Sequence, residues 1–386
     1  MKSWLGPLRS SPRAARICGI GRSASLQMLA IAMAITALRA SHLPPTYSAR
    51  FPLDLIRRSL GNSLCAAVLG LMLITPVQAQ DKQVIKIGWG STDGLKDPYA
   101  IGARAFKAAL EADPNGQSFD VQLYPNRQLG DEKAMLEGIR MGLIEAGVIT
   151  NALVAQTESA FLLNDLPFLY SSEDEAYALM DGPVGETLAK KLNAKGVTVV
   201  GYMGGGFRSM VNNVRPVVTP PDVSGVKYRV MQSPIYIGMY ESLGGSPVPM
   251  AWGETYTAVQ QGALDGLEIP PSVIDAAKYY EIAKYLSLTN HTFSVLHLVF
   301  NKRFLDRLAP EQRQAILDAG HKAALEQRQA SDQIATEVIA TLKEKGMEVN
   351  EIKDPAAFRE KVAPVYERFR KDIGSELLDQ ALAQVN

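Results

Sequence analysis

Two apolar rhythms take turns from residue 84 onward, and that alternation limits the fold more than any other feature. VIKIGWG (Val84 to Gly90) and FDVQLYP (Phe119 to Pro125) set polar residues at alternate positions, as strands do. Between them YAIGARAFKAALEA (Tyr99 to Ala112) repeats its apolar residues at helical spacing, and EKAMLEGIRMG (Glu132 to Gly142) does the same. IEAGVIT, GVTVVGYM (Gly196 to Met203), GVKYRVM and LHLVFN (Leu296 to Asn301) extend the strand series. From Pro310 to Gly346 the chain is rich in Ala, Gln, Glu and Lys, which predicts one very long helix or two abutting ones. The class is α/β, with neither internal repeats nor low-complexity linkers.

The first eighty residues follow a different logic. Arg57 and Arg58 precede an apolar core, Ser63 to Ile74, then Pro76 and the small-residue pattern Val77-Gln78-Ala79. That order is a positive n-region, an h-region and a cleavage site, with Gln80 as the first mature residue. The core is about a dozen residues, short of the roughly twenty that span a bilayer. A second apolar stretch, Leu26 to Leu38, reads as an extension upstream of the true start, and a two-segment membrane anchor is the competing reading. Arg57-Arg58-Ser59-Leu60 weakly resembles a twin-arginine export signal, and Cys65 sits in no convincing lipoprotein box.

Export changes the chemistry available. Residues 1–79 hold nine Lys or Arg and one acid, Asp54, so of 40 basic and 40 acidic residues the mature chain keeps 31 and 39. A net charge of −8 argues against nucleic acid and anionic membrane surfaces as partners. Both cysteines, Cys18 and Cys65, leave with the leader, which removes disulfides, thiol nucleophiles and thiolate metal sites. The remaining 300 or so residues are enough for two domains with well-buried cores.

No catalytic, cofactor or metal constellation stands out. The mature chain lacks G-x-S-x-G, a Walker loop, a dinucleotide fingerprint, H-E-x-x-H and C-x-x-C. Gly204-Gly205-Gly206 has no Lys-Ser or Lys-Thr after it, so these glycines serve a backbone bend or a close approach. His291, His297 and His321 have no metal-ligand spacing. A charge in an unexpected place is more informative: in GVKYRVMQSP, Val226, Tyr228 and Val230 share one strand face and Arg229 takes the other. On periodicity alone, such an arginine reads as a solvated surface residue.

Longer segments carry a resemblance. YPNRQLGDEKAMLEGIRMGLIE (Tyr124 to Glu145), FRSMVNNVRPVVTPPDVSGVKYRVMQSP (Phe207 to Pro234), WGETYTAVQQGALDGLEIPPS (Trp252 to Ser272) and KYYEIAKYLSLTNHTFS (Lys278 to Ser294) resemble, in order and spacing, the DctP-like solute-binding proteins of tripartite ATP-independent periplasmic (TRAP) transporters. With the long C-terminal helix, the likeness covers essentially the whole mature chain. It implies a periplasmic, non-enzymatic, monomeric receptor without a cofactor, which hands a small organic anion to a small and a large membrane subunit. The implied architecture is a two-domain periplasmic-binding-protein-like fold with hinge crossings. One domain would comprise residues 80–205 plus 294–336, and the other 206–293 plus 337–386.

The resemblance also assigns roles. Arg229 matches the arginine that grips the ligand carboxylate in paired hydrogen bonds, a task suited to a planar, permanently charged fork. Gln232 and Arg208 match further ligand-contacting positions, and Trp252 matches a bulky residue that covers the ligand or packs in the core. Glu132 matches an acidic position near the site, where it accepts from ligand hydroxyls or caps its helix, as Asp131 could.

Departures from the family pattern narrow the expected ligand. Many relatives read D-G-x-E-N-P where this chain has Asp265-Gly266-Leu267-Glu268-Ile269-Pro270, so Ile269 replaces a polar asparagine. Thr150 and Leu153 stand where sialate-binding relatives carry Glu and Arg. The expectation is a small acid with an apolar portion or a short dicarboxylate. A sugar-acid receptor, a binding protein for an ABC importer or sensor, and an enzyme are the alternatives.

Overall fold

The computed structural model describes residues 82–385, so the leader and anchor readings for residues 1–79 lie outside the described residues. In chain order the elements are β1 (Gln83–Trp89), α1 (Pro98–Ala112), β2 (Phe119–Tyr124), α2 (Glu132–Met141), β3 (Ala146–Thr150) and α3 (Asn151–Thr157). Next come α4 (Glu173–Asp181), α5 (Pro183–Ala194), β4 (Val197–Asn212), β5 (Lys227–Val230), α6 (Pro234–Ser242), β6 (Ser246–Pro249) and α7 (Trp252–Gln260). The chain continues through β7 (Gly266–Ile269), α8 (Pro271–Ala276), β8 (Tyr285–Asn301), α9 (Lys302–Asp306), α10 (Pro310–Glu344), β9 (Glu348–Glu351), α11 (Pro355–Ile373) and α12 (Ser375–Leu382).

One sheet of nine strands runs through all of this in the order β2-β1-β3-β8-β4-β7-β5-β6, with β9 on β8. At one end β1 is parallel to β2 and β3; at the other β5 is parallel to β6 and β7. Parallel pairs need covered crossovers, and the helices between these strands supply them. The long antiparallel pair β4–β8 joins the two wings, and its register shifts between Gly204 and Phe207. Gly206 takes φ +90 there, a left-handed conformation that L side chains resist, so the anticipated glycine bend is real.

One large apolar cluster runs through both wings, joining Met135, Ile139 and Ile149 to Tyr228, Val230 and Ile235, and each wing has a smaller cluster besides, with one helix serving both of those. Phe106 of α1 and Phe300 of β8 meet at 5.4 Å between ring centroids, in a core that takes Ala315, Ile316 and Ala323 from the front of α10. Val338 and Leu342, further along α10, pack with Leu267, Ile274 and Leu286 of the other wing. Each fully buried side chain of this kind contributes about 1.5–3 kcal/mol, enough to keep the 35 residues of α10 in one piece. Of the two expected forms, the single long helix is the one found.

Two strands differ from expectation. The solvated position that periodicity alone gives Arg229 is not found, because Tyr228, Arg229 and Val230 are all buried. A strand flanked by parallel neighbours on both sides is covered on both faces. β8 begins at Tyr285, well before the anticipated Leu296. Its early polar residues hid it, yet they are buried and bonded: Ser287 Oγ donates to Asn350 Oδ1 at 2.9 Å and accepts from the Val217 N–H at 2.8 Å.

Candidate functional site

Strand direction locates the site before any side chain is considered. In each wing the parallel strands point their C-terminal ends at the same cavity: Gly90 and Ser91 follow β1, Met231 and Gln232 follow β5, and Pro270 follows β7. Crevices beyond the carboxyl ends of parallel strands are where α/β sheets hold ligands. The cavity has about 60 Å³ of water-accessible space, and Leu153, Met231, Trp252, Ile269 and Val273 give it apolar walls.

Two arginines form its charged side. Arg229 is 3% exposed. Its Nε and Nη2 donate to the Met250 carbonyl at 3.0 and 2.8 Å, and Nη1 reaches Met231 Sδ at 3.4 Å. Of five N–H groups, one on Nη1 and one on Nη2 remain without a protein acceptor. Among the described residues no carboxylate forms an ion pair with Arg229. Burial holds its pKa below the ordinary arginine value, with Glu268 opposing that shift only in part. Trp252 flanks the cation, 5.9 Å from ring centroid to Cζ.

Arg208 is built differently. Its Nε donates to Glu268 Oε2, its Nη2 to Glu268 Oε1 at 3.0 Å and to the Glu268 carbonyl at 2.8 Å, and its Nη1 to Ser294 Oγ at 3.3 Å. One Nη1 N–H is left over. Burial alone would raise the Glu268 pKa, but Arg208 and His291 beside it bring the carboxyl below its usual value. His291 Nε2 lies 3.6 Å from Glu268 Oε2, and burial keeps the imidazole pKa below its ordinary value.

At the opposite wall, Glu132 opens α2 behind its cap Asp131, which accepts from the Ala134 N–H at 2.8 Å. Its Oε1 accepts from the Thr150 N–H at 3.2 Å. Burial pushes its pKa up to about 7, against the pull of that N–H and of Arg229 and Arg208. The N-terminus of α7 also meets the cavity, through Ala251 and Trp252, with no side-chain cap. Its free N–H groups favour negative charge. Arg208 and Glu268 cancel, burial favours the neutral form of Glu132, and Arg229 has no ion-pair partner, while Arg127 and Lys133 outnumber Asp131 among the other lining charges, so the cavity is suited to an anion.

A family model for "Bacterial extracellular solute-binding protein, family 7" (DctP) matches residues 90–372. The chain belongs to the DctP family. The family's periplasmic solute receptors of TRAP transporters are therefore its kin, and the 2,3-diketo-L-gulonate-binding periplasmic protein YiaO of Escherichia coli K12 is 32% identical over 324 residues, 83% of this chain and 97% of that one. A TRAP solute-binding protein of Polaromonas sp. JS666 bound to D-erythronate superposes with a TM-score of 0.75 at 32% identity, covering 78% of this chain and 99% of its own. One from Bordetella bronchispeptica, with density assigned as pantoate, gives 0.74 at 32% identity over the same shares. No helix among the described residues is long and apolar enough to cross a membrane.

Within this DctP-family fold, six of the seven expected residues line the one cavity: Arg229, Arg208, Gln232, Trp252, Glu132 and Ile269. Thr150 does not line it. It is buried behind Glu132, which its backbone N–H orients, while Leu153, one helical turn on, supplies an apolar wall. Glu268 was missed as a partner, although the sequence carries a signal. It is an acid inside the apolar run GLEIP, just as Arg229 is a base inside KYRV. Arg127 was missed too, being an ordinary basic residue in a polar turn.

Proposed function

We propose that this chain is the periplasmic receptor that captures a small organic acid and delivers it to the small and large membrane subunits of a TRAP transporter, acting as a non-enzymatic monomer. The observation that carries the ligand class is Arg229, a buried guanidinium with two N–H groups free and no ion-pair partner among the described residues. A carboxylate supplies both the charge and the two acceptors such a group lacks. The walls favour an acid with an apolar portion, in keeping with the pantoate of one relative.

A hydroxylated acid is the second reading. Glu132 and Ser91 add polar groups to the lining, and two relatives are named for a diketogulonate and an erythronate. In either case the domains suggested from sequence meet where β4 and β8 shift register. Closure about that point would bury the ligand, and only contacts unique to the closed state can drive it. An ABC importer or a sensor as the downstream partner has no observation in its favour.

Thermal-shift measurements on acids and their matched primary amides test the ligand class. The expected result is that some carboxylates raise the melting temperature by several degrees, by mass action on the folded state, while the isosteric amides do not. Equal shifts with acid and amide would refute a carboxylate anchor. Preference for polyhydroxylated acids would select the second reading.

A further inference from the structure

Besides Arg229, two cations that line the cavity are in no ion pair among the described residues, Lys133 and Arg127, and the backbone fixes where the second of them goes. Asn126 and Arg127 are consecutive non-glycine residues at φ 55 and 63, a costly arrangement that persists only where surroundings impose it. Here the Asn126 N–H donates to the Ser91 carbonyl at 2.9 Å and the Arg127 N–H to the Trp89 carbonyl at 3.1 Å, folding the turn onto the end of β1. The turn directs Arg127 along the cavity to α7 of the other wing. A Cβ on Gly253 would lie 1.7 Å from Arg127 Nη1, so the guanidinium rests directly against the backbone of α7. Among the described residues Arg127 has no carboxylate partner, although it is exposed and lines the cavity.

Next to Trp252 lies a further unmet group. Tyr279 is 1% exposed, its ring 5.4 Å from that of Trp252, and its hydroxyl has no hydrogen-bond partner. Burial raises its pKa, and both Arg229 and Arg127 oppose the shift, which places the phenol in the field of the two cations. Two guanidiniums without an ion-pair partner among the described residues, one from each wing, thus line a single small cavity.

We propose that Arg127 is a specificity-determining residue that closes over the far end of the ligand and selects acids with an oxyanion at each end. This rests on the reading of Arg229 as the carboxylate anchor. One carboxylate lies on Arg229, the apolar middle lies against the walls, and the distal oxyanion meets Arg127 only when the wings are together. The residue therefore also links recognition to closure.

Calorimetry with succinate and butyrate, four-carbon acids bearing two carboxylates and one, tests this on the full mature protein. Wild type should bind succinate about tenfold or more tighter than butyrate, a difference of about 1.4 kcal/mol. Arg127→Ala should lose most of that preference while weakening butyrate by less than about threefold, and Arg127→Lys should keep part of it. Equal weakening of both acids, no change for succinate, wild-type preference for butyrate, or failure of wild type to bind either acid would overturn the proposal. Arg229→Ala separates the two levels. If it abolishes binding of both acids while Arg127→Ala alters neither, only the role of Arg127 falls. If Arg229→Ala leaves both acids bound as before, the anchor itself is wrong.

Discussion

Arg208 and Arg229 are the same residue type on the same sheet, 4% and 3% exposed, and both line one cavity, yet their charges are handled in opposite ways. Arg208 on β4 meets Glu268 of β7, whose carboxylate and carbonyl absorb three of its donors. Arg229 on β5 has a neutral carbonyl and a thioether instead, and two of its N–H groups stay open. A buried charge with a fixed partner is neutralised within the fold; one without a partner stays free to take a counter-ion from outside. The difference arises from neighbours: Glu268 faces Met210 in the β4–β7 register, within reach of Arg208, whereas Arg229 sits opposite Leu267 and Val248.

The largest effect expected from this contrast is on stability. Glu268→Ala leaves Arg208 buried without its counter-ion and should cost about 3–5 kcal/mol in chemical denaturation, whereas replacing Arg208 and Glu268 together by methionine should recover most of the loss. A single Glu268→Ala variant within about 1 kcal/mol of wild type would show that Arg208 is not structurally paired, and the contrast would collapse.

A smaller effect concerns pH. Burial holds the Glu132 pKa near 7, above its unfolded value, so the fold favours the protonated acid. That contribution to stability is complete below the unfolded pKa and is lost as pH rises through about 7. The same ionisation adds a negative charge facing Arg229 and Arg208, next to Asp131, and opposes an incoming anion. Carboxylate affinity should thus fall by about three- to tenfold between about pH 6 and about pH 8.5, with proton uptake on binding. Asp165, also raised to about 7 by burial, titrates in the same window, so Glu132→Gln is the needed control. A slope unchanged in Glu132→Gln would assign the effect elsewhere.

The sequence disclosed the alternating elements because β1, β2, α1 and α2 bury one face and keep the other polar. It concealed the first half of β8 and the burial of β5, since strands covered on both faces need not alternate, and buried serines and threonines look like loop. Family likeness drew attention to Arg229, which lines the cavity, whereas periodicity pointed to a surface residue and missed its burial. Glu268 and Arg127 were not singled out, because a partner 60 residues from Arg208 and a turn folded onto the end of β1 exist only in three dimensions.

The central claim is that Arg229 is kept unpaired in order to pair with a ligand carboxylate. Calorimetric titration of the best-binding acid into wild type, Arg229→Ala and Arg229→Lys, with folding verified by melting, tests it directly. Truncation should cost about 3–5 kcal/mol, or two to three or more decades of affinity, and lysine should restore only part, lacking the paired geometry. The melting temperature of ligand-free Arg229→Ala should stay near that of wild type, since no ion pair is broken. An Arg229→Ala protein that binds the acid within a few-fold of wild type would contradict the account.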